Sequence, residues 1–225
     1  MYLSKHSLFT RIAILILKSF SFYTLEKLID PLLFFLKLFG IEPAQIKEEV
    51  LFLIRVLKRI RPKIMLEIGT GRGGTLFLFT NAASSVAKII TVDLPGGPFG
   101  GGYPRYMISL LQSFGSSKQK VYLLRTNSHD AGTFAKVKSI LNGEKLDFLF
   151  IDGDHSYEGV RKDFEMYSPL VRKGGIIAFH DIVPGPPENV GGVPKFWDEI
   201  KHNFCYEEIV KDWKQGGYGI GVIYM

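Results

Sequence analysis

A glycine-rich stretch between two acids could bind a nucleoside. Residues 67–74 read EIGTGRGG, so that Glu67 stands two residues before the first glycine, and Asp93 ends the next apolar run. Glycines let the backbone turn sharply and approach a ligand closely. A carboxylate at the end of a second strand can accept both hydroxyls of a ribose. A tight turn alone would explain the glycines, so it is the two acids that favour a nucleoside.

The charge of this stretch distinguishes between nucleoside ligands. A dinucleotide places its pyrophosphate at a helix N-terminus, where the carboxylate of Glu67 would repel it. S-adenosylmethionine carries a ribose, an adenine and an ammonium but no phosphate, so the charges favour it. A nicotinamide-dependent oxidoreductase stays the rival enzyme class, although the GxGxxG spacing typical of that class is missing.

Carboxylates and imidazoles follow two later apolar runs. Asp152 ends the run that begins at Leu146, and His180-Asp181 end the run that follows Gly174-Gly175. Neighbouring strands lie about 4.8 Å apart, so both carboxylates can converge on one ion. Oxygen ligands favour magnesium, whereas an imidazole suits other divalent metals better. The predicted metal ligands are Asp152, His180 and Asp181, with the identity and the presence of the metal left open.

Two side chains between these runs could take up a proton. Asp154 and His155 follow Asp152 directly and precede a helical stretch. Positioned carboxylates and imidazoles are the usual general bases of enzymes. An aspartate just before a helix can equally serve only as its cap. We therefore predict Asp154 and His155 as catalytic residues, with helix capping as the alternative for Asp154.

Alternating apolar runs and helical stretches from residue 61 onward predict the scaffold that positions these groups. Apolar strands separated by helices are typical of a parallel sheet that is covered on both faces. Ligands bind such sheets at the carboxyl ends of the strands. The predicted strands are 64–68, 88–93, 121–125, 146–152, 176–180, 206–211 and 218–224. The predicted helices are 43–60, 74–86, 103–114, 133–141, 157–171 and 194–203. The loops 95–102 and 183–192 are expected to close over a substrate.

The positive charge of the chain is confined to its first quarter. The chain has 225 residues and a net charge of +6; residues 1–63 hold 11 Lys/Arg and 5 Asp/Glu, and the remainder is balanced. A neutral core argues against a nucleic-acid partner. We predict a helical cap or arm over residues 1–60 and a catalytic domain over 61–225. Residues 1–40 would pack on the core or on a second subunit of a homodimer, or lie on an anionic membrane.

The cellular location follows from the same features. A single cysteine, Cys205, excludes a disulfide framework and favours a reducing compartment. The apolar runs of residues 1–40 are too short for a spanning helix, which needs about 20 apolar residues. We therefore expect a cytoplasmic protein, with peripheral membrane contact through residues 1–40 as the alternative.

The glycine stretch with Asp93 resembles the ExGxGxG pattern of class I S-adenosylmethionine-dependent methyltransferases. The resemblance covers residues 61–225 and implies a Rossmann-like, doubly wound α/β fold with strand order 3-2-1-4-5-7-6 and an antiparallel last strand. It also implies that the glycine loop lines the methionine portion and that Asp93 holds the ribose. The residues that it implies for cofactor binding are Glu67, which would lie near the ammonium, Gly69, Thr70, Gly71, Gly73, Asp93, Asn127 and Ser128 at the adenine, and Asp152.

Residues 152–181, DGDHSYEGVRKDFEMYSPLVRKGGIIAFHD, resemble the cephalosporin-hydroxylase-type and sugar O-methyltransferases more specifically. Many members hold magnesium on the aspartate after strand four and on a pair after strand five, which is His180-Asp181 here. The proposed base of the family falls on Asp154. The resemblance implies O-methylation of a small molecule or sugar, with metal assistance open. A catalytically inactive membrane-surface or regulatory protein of the same fold is the non-enzyme alternative.

Overall fold

In the computed structural model, residues 37, 40–41, 43–97 and 99–225 are described. The prediction that residues 1–40 form a cap, a dimer arm or a membrane contact therefore lies almost entirely outside the described residues. Among the described residues, no helix combines the length and the apolarity required to cross a lipid bilayer.

One seven-stranded sheet forms the centre of the described chain. The strands are β1 Ile64–Ile68, β2 Lys88–Asp93, β3 Lys120–Arg125, β4 Leu146–Ile151, β5 Val171–His180, β6 Cys205–Ile209 and β7 Ile220–Tyr224. Their order in the sheet is β3-β2-β1-β4-β5-β7-β6, and only β7 runs antiparallel to its two neighbours, β5 and β6. The predicted strand order and fold class are thus confirmed.

Helices cover both faces of this sheet, because alternate strand residues point to opposite sides and nearly all are apolar. Met65 packs with the helices Lys47–Ile60, Gly74–Ala82 and Ile108–Gln112 on one face. Its neighbour Leu66 packs with the helices Ala131–Leu141, Tyr157–Tyr167 and Val193–Ile200 on the other. Short 3-10 turns occupy Arg105–Met107, Ser168–Leu170 and Lys201–Asn203. The α-helices are α1 Lys47–Ile60, α2 Gly74–Ala82, α3 Ile108–Gln112, α4 Ala131–Leu141, α5 Tyr157–Tyr167, α6 Pro187–Val190 and α7 Val193–Ile200.

Several predicted boundaries differ from the structure: the helix 74–86 ends at Ala82, and the helix 103–114 is α-helical only over Ile108–Gln112. The largest difference lies between the helix 157–171 and the strand 176–180. The helix ends at Tyr167, since Pro169 lacks the N–H that would continue it. The strand already begins at Val171, which pairs with Leu146 before the register shifts. Gly174 has a positive φ of 72° and donates its N–H to the Met225 carbonyl, so the glycine pair sits inside an irregular strand and not at the end of a helix.

Candidate active site

The glycine loop lies directly against the end of β4. Gly69 adopts φ +92°, and a Cβ at this position would come within 1.8 Å of the Asp152 carbonyl oxygen. Only glycine permits both this backbone conformation and this close approach. The loop that leaves β1 is therefore held beside the side chains that follow β4, as the adjacent positions of the two strands require.

Asp93 ends β2 and faces the glycine loop. The backbone N–H of Gly71 donates to its Oδ2 at 2.5 Å, and the N–H groups of Gly102 and Thr70 also stabilise its charge. Burial outweighs these bonds and raises the pKa of Asp93 to about 6. The carboxylate remains ionised at neutral pH, and its remaining lone pairs can accept hydroxyl donors such as those of a ribose.

Glu67 is fully buried and faces hydroxyl groups. Thr75 Oγ1 lies 2.5 Å from one of its carboxyl oxygens and Thr91 Oγ1 lies 2.8 Å from the other. Burial raises the pKa of Glu67 to about 8, although both threonine bonds lower it. The carboxyl group is therefore largely uncharged at pH 7. The structure does not bring its side chain to the cavity described below.

Two carboxylates and two imidazoles meet at the ends of β4 and β5. His180 Nδ1 lies 3.1 Å from Asp152 Oδ1 and 3.4 Å from Asp181 Oδ2. His155 Nε2 lies 3.4 Å from Asp152 Oδ1, and its Nδ1 lies 3.3 Å from Asp181 Oδ2. We call these four residues the Asp/His cluster. The predicted convergence of Asp152 and Asp181 is thus present in the geometry.

Mutual charge sets the protonation of this cluster. Burial disfavours a charge on His155 and on His180, but the carboxylates, above all Asp152, raise the pKa of His155 to about 9 and that of His180 to about 10. Burial likewise opposes ionisation of Asp152, yet the two imidazoles hold its pKa well below the usual range. As it stands, the cluster pairs anionic carboxylates with cationic imidazoles.

His155 occupies the open side of the cluster. Its Nδ1–H donates to the Asn189 carbonyl oxygen at 2.5 Å, which leaves Nε2 as the nitrogen that can exchange a proton. The ring of Phe99 stacks on the imidazole with a centroid distance of 5.0 Å and an interplanar angle of 26°. Both loops that were expected to close over a substrate, 95–102 and 183–192, therefore contact His155.

Asp154 has a different environment. Its Oδ1 accepts the backbone N–H of Ser156 at 2.9 Å, and its carboxyl group sits where a Cβ on Gly159 would collide with it. Ser156 in turn caps α5 by accepting the Gly159 N–H. These contacts fit the alternative considered from the sequence, in which Asp154 stabilises the start of the helix.

A cavity of about 250 Å³ connects these groups. The loop residues Phe99 and Ala44 form part of its wall. The predicted residues that line it are Gly69, Gly71, Asp93, Asn127, Ser128, Asp152, Asp154 and His155. The predicted residues that do not line it are Glu67, Thr70, Gly73, His180 and Asp181. Thr70 and Gly73 shape the loop, through a hydroxyl contact with Thr91 and as the N-cap of α2.

Among the described residues, one group could hold a metal ion. Asp152, His155 and Asp181 each offer one ligand atom, and these atoms lie within 4.8 Å of one another. This set replaces the predicted His180 with His155. Two carboxylates and an imidazole suit a divalent metal that accepts nitrogen, such as manganese or zinc, better than magnesium.

Two residues before and within α1 support the site, and sequence reasoning missed both. Gln45 Nε2 donates to Asp152 Oδ2 at 2.8 Å. Glu49 is buried and accepts the backbone N–H groups of Lys211 and Gly219, and the loop between them donates the Tyr218 N–H to Asp181. No motif marks these positions; the only signal was a glutamate on the apolar stripe of the helix.

Comparisons with known proteins agree with this geometry. A family model described as a methyltransferase domain matches residues 66–182. An uncharacterised protein of Acanthamoeba polyphaga mimivirus is 33% identical over 117 residues, which cover 52% of this chain and 50% of that protein. A protein of Sinorhizobium fredii is 28% identical over 63% of this chain but only 15% of its own length. The chain thus spans half or less of these curated relatives.

The fold also resembles that of solved enzymes. The structure of an O-methyltransferase from Bacillus cereus in complex with SAH superposes with a TM-score of 0.59 at 19% sequence identity. The similarity covers 81% of this chain and 84% of that one. The structure of a protein from Klebsiella pneumoniae gives a TM-score of 0.61 at 17% identity over 91% of this chain and 95% of its own.

Proposed function

The chain belongs to the methyltransferase-domain family, and from this premise we propose that it transfers a methyl group from S-adenosylmethionine to a hydroxyl oxygen of a small molecule or sugar. One observation carries the proposal. A single cavity joins the glycine loop and Asp93 at one end to Asp152 and His155 at the other. It therefore combines a place for a nucleoside with groups that can accept a proton.

The donor would lie along the ends of β3, β2 and β1. Asp93 would accept the ribose hydroxyls, and Asn127 and Ser128 would contact the adenine. Gly69 and Gly71 leave room for the methionine portion of the donor, because neither projects a side chain into the cavity. When bound, S-adenosylmethionine supplies a methyl group on a positively charged sulfur, which needs alignment more than activation.

His155 would accept the proton of the acceptor hydroxyl. Its Nδ1–H is fixed on the Asn189 carbonyl, so Nε2 is the atom that takes the proton. A cationic ligand in the cavity lowers the pKa of a nearby imidazole, and this would shift His155 from its raised value of about 9 toward a neutral, proton-accepting form. Phe99 would exclude water from one face of the ring.

The Asp/His cluster would alternatively hold a divalent metal ion. Asp152, His155 and Asp181 are the residues that would bind it, and the ion would lower the pKa of a hydroxyl bound to it. Chelation separates the two roles of His155. Turnover that survives a chelator assigns His155 as the base, whereas turnover that is lost and then restored by manganese or zinc assigns it as a ligand.

Calorimetry tests the donor assignment first. We expect adenosylhomocysteine to bind and NAD to show no binding, because the carboxylates of Asp93 and Asp152 line the cavity beside the glycine loop and would repel a pyrophosphate. Binding of NAD alone would overturn the proposal in favour of the oxidoreductase. Methyl transfer to a panel of sugars, phenols and aliphatic alcohols would then identify the acceptor. A chain that binds adenosylhomocysteine but methylates nothing in a broad panel would favour the inactive alternative.

A further inference from the structure

Gln45 reaches the candidate active site from outside the region that matches the family model. It precedes α1, whereas the match covers residues 66–182. Its side chain is more than nine-tenths buried, and its neighbour Ala44 forms part of the cavity wall. The contact with Asp152 spans 107 positions of the chain, so it forms only when the segment before α1 docks on the sheet.

The orientation of the Gln45 amide follows from its partner. An ionised carboxylate accepts hydrogen bonds and donates none. The NH₂ group must therefore face Asp152, where Nε2 lies 2.8 Å from Oδ2. Among the residues that the structure describes, the buried amide oxygen Oε1 has no hydrogen-bond partner. Most buried polar atoms in proteins have such a partner, so one that lacks it can mark the place of a ligand atom.

The order of the strands indicates what that partner is. Under the proposed function the nucleoside lies over β2 and β3, so the amino acid portion of the donor extends past the glycine loop toward β4. Asp152 lines the cavity at this end, and Gln45 is hydrogen-bonded to it. An ammonium carries three donors, a positive charge and no acceptor. A carboxylate beside an amide oxygen is complementary to this ammonium, because both groups accept hydrogen bonds and the carboxylate is negatively charged.

We propose that Gln45 is a cofactor-binding residue, whose Oε1 accepts a hydrogen bond from the ammonium of S-adenosylmethionine while its Nε2 holds Asp152 in place. This inference rests on the proposed function. It assigns to Gln45 and Asp152 the recognition of the ammonium that the resemblance had assigned to Glu67, whose two carboxyl oxygens already bond to threonine hydroxyls.

Two ligands that differ by the amino acid portion test the proposal. Methylthioadenosine has the adenosine and the thioether of adenosylhomocysteine but no ammonium. Calorimetry would measure the Kd of both ligands for the wild type and for Gln45→Met, which keeps the side-chain length and removes the amide. We expect adenosylhomocysteine to bind about 10- to 100-fold more weakly to the variant, as for a lost hydrogen bond to a charged group. Methylthioadenosine should bind as before.

Gln215→Met is the matched control. Gln215 also donates its amide to a carboxylate at 2.8 Å, that of Glu49, but away from Asp152. It should leave the ratio of the two Kd values unchanged. If Gln45→Met does not fold, Gln45→Asn keeps the amide but withdraws it by one methylene, and it should weaken adenosylhomocysteine more than methylthioadenosine.

The possible outcomes are distinct. Equal weakening of both ligands by Gln45→Met, or no weakening, overturns the role of Gln45 and leaves the proposed function intact. Equal weakening of both ligands by Gln45→Asn overturns it too. A wild-type protein that binds neither ligand overturns the proposed function, and the role of Gln45 with it.

Discussion

The carboxyl groups at the ends of β1 and β2 and those at the ends of β4 and β5 occupy equivalent places in the sheet, yet their chemistry differs. Glu67 and Asp93 are surrounded by hydroxyls and backbone N–H groups, and burial raises the pKa of both. Asp152 and Asp181 face imidazoles, which lower the pKa of Asp152. We call the first set the nucleoside half and the second the transfer half.

The comparison teaches that the partner of a strand-end carboxyl group decides its function. Hydroxyls and backbone amides shape a carboxylate to accept further neutral donors, which suits binding of a ribose. Imidazoles exchange protons with a carboxylate, and both can ligate metals. Asp93 of the first half and Asp152 of the second line the same cavity. Under the proposed function, binding and proton transfer would therefore be divided between neighbouring pairs of strands.

The largest expected effect breaks the transfer half. His155→Gln should lower kcat about 10²- to 10⁴-fold, the usual range for loss of a positioned proton acceptor. The binding of adenosylhomocysteine should change little, since the nucleoside half is intact. Steady-state kinetics and calorimetry on the same variant check both expectations.

Asp154→Asn is the control for this prediction. The amide oxygen of asparagine can still accept the Ser156 N–H, so helix α5 keeps its start and kcat should stay near the wild-type value. A large loss of kcat in Asp154→Asn, with His155→Gln remaining active, would assign the base to Asp154 instead.

The second effect breaks the nucleoside half. Asp93→Asn replaces an ionised acceptor with an amide, and we expect adenosylhomocysteine and methylthioadenosine to bind about 10- to 100-fold more weakly. Both ligands should be affected alike because both carry the ribose. An effect on adenosylhomocysteine alone would place Asp93 at the amino acid portion and remove the division between the halves.

The two halves also differ in how far the sequence predicts them. The apolar runs predicted the seven strands, because burial on both faces leaves a strong local pattern. The strand order was implied by the resemblance to class I methyltransferases, and the sheet confirms it. The proximity of Asp152 and Asp181 followed from that order. Local sequence patterns do not show where a side chain points. The burial of Glu67, and the finding that His155 lines the cavity while His180 does not, therefore appear only in the structure.

The support from α1 was unpredictable for a related reason. Gln45 and Glu49 act on residues more than 100 positions away in the chain. A periodicity analysis assigns Glu49 to the buried stripe of a helix but cannot name the backbone groups that it binds. Contacts of this kind depend on the docking angle of a helix, which is set by the packing of the whole core.

The third expected effect concerns the charge state of Glu67 in the nucleoside half. Glu67 has a pKa raised to about 8 in the folded state, so its contribution to stability is present below its unfolded pKa and is lost as the pH rises through 8. Glu67→Gln does not titrate. It should match the wild type near pH 4 and exceed its free energy of unfolding by roughly 4 kcal/mol at pH 8.

Denaturant unfolding at the two pH values measures this difference, and calorimetry should show that Glu67→Gln still binds adenosylhomocysteine. A folded Glu67→Gln variant that no longer binds this ligand would contradict the interpretation. The charge of Glu67 would then act on the ammonium, as the sequence alone suggested.

The smallest effect concerns an imidazole–carboxylate pair outside the cavity, which isolates the property that defines the transfer half. His129 Nε2 lies 3.2 Å from Oδ1 of the buried Asp163, and the hydrogen bond with Asp163 raises the pKa of His129. A raised pKa stabilises the fold below the unfolded value of about 6.5, and this contribution is lost as the pH rises through the folded value. His129→Gln should therefore be less stable than the wild type by about 1 kcal/mol at pH 6. The difference should shrink as the pH rises, because His129 then loses its proton. The histidines of the Asp/His cluster titrate alike in both proteins, so their contributions cancel. A difference that does not depend on pH would mean that His129 stabilises the loop by packing, and that an imidazole beside a buried carboxylate does not suffice to create the charge pairing of the transfer half.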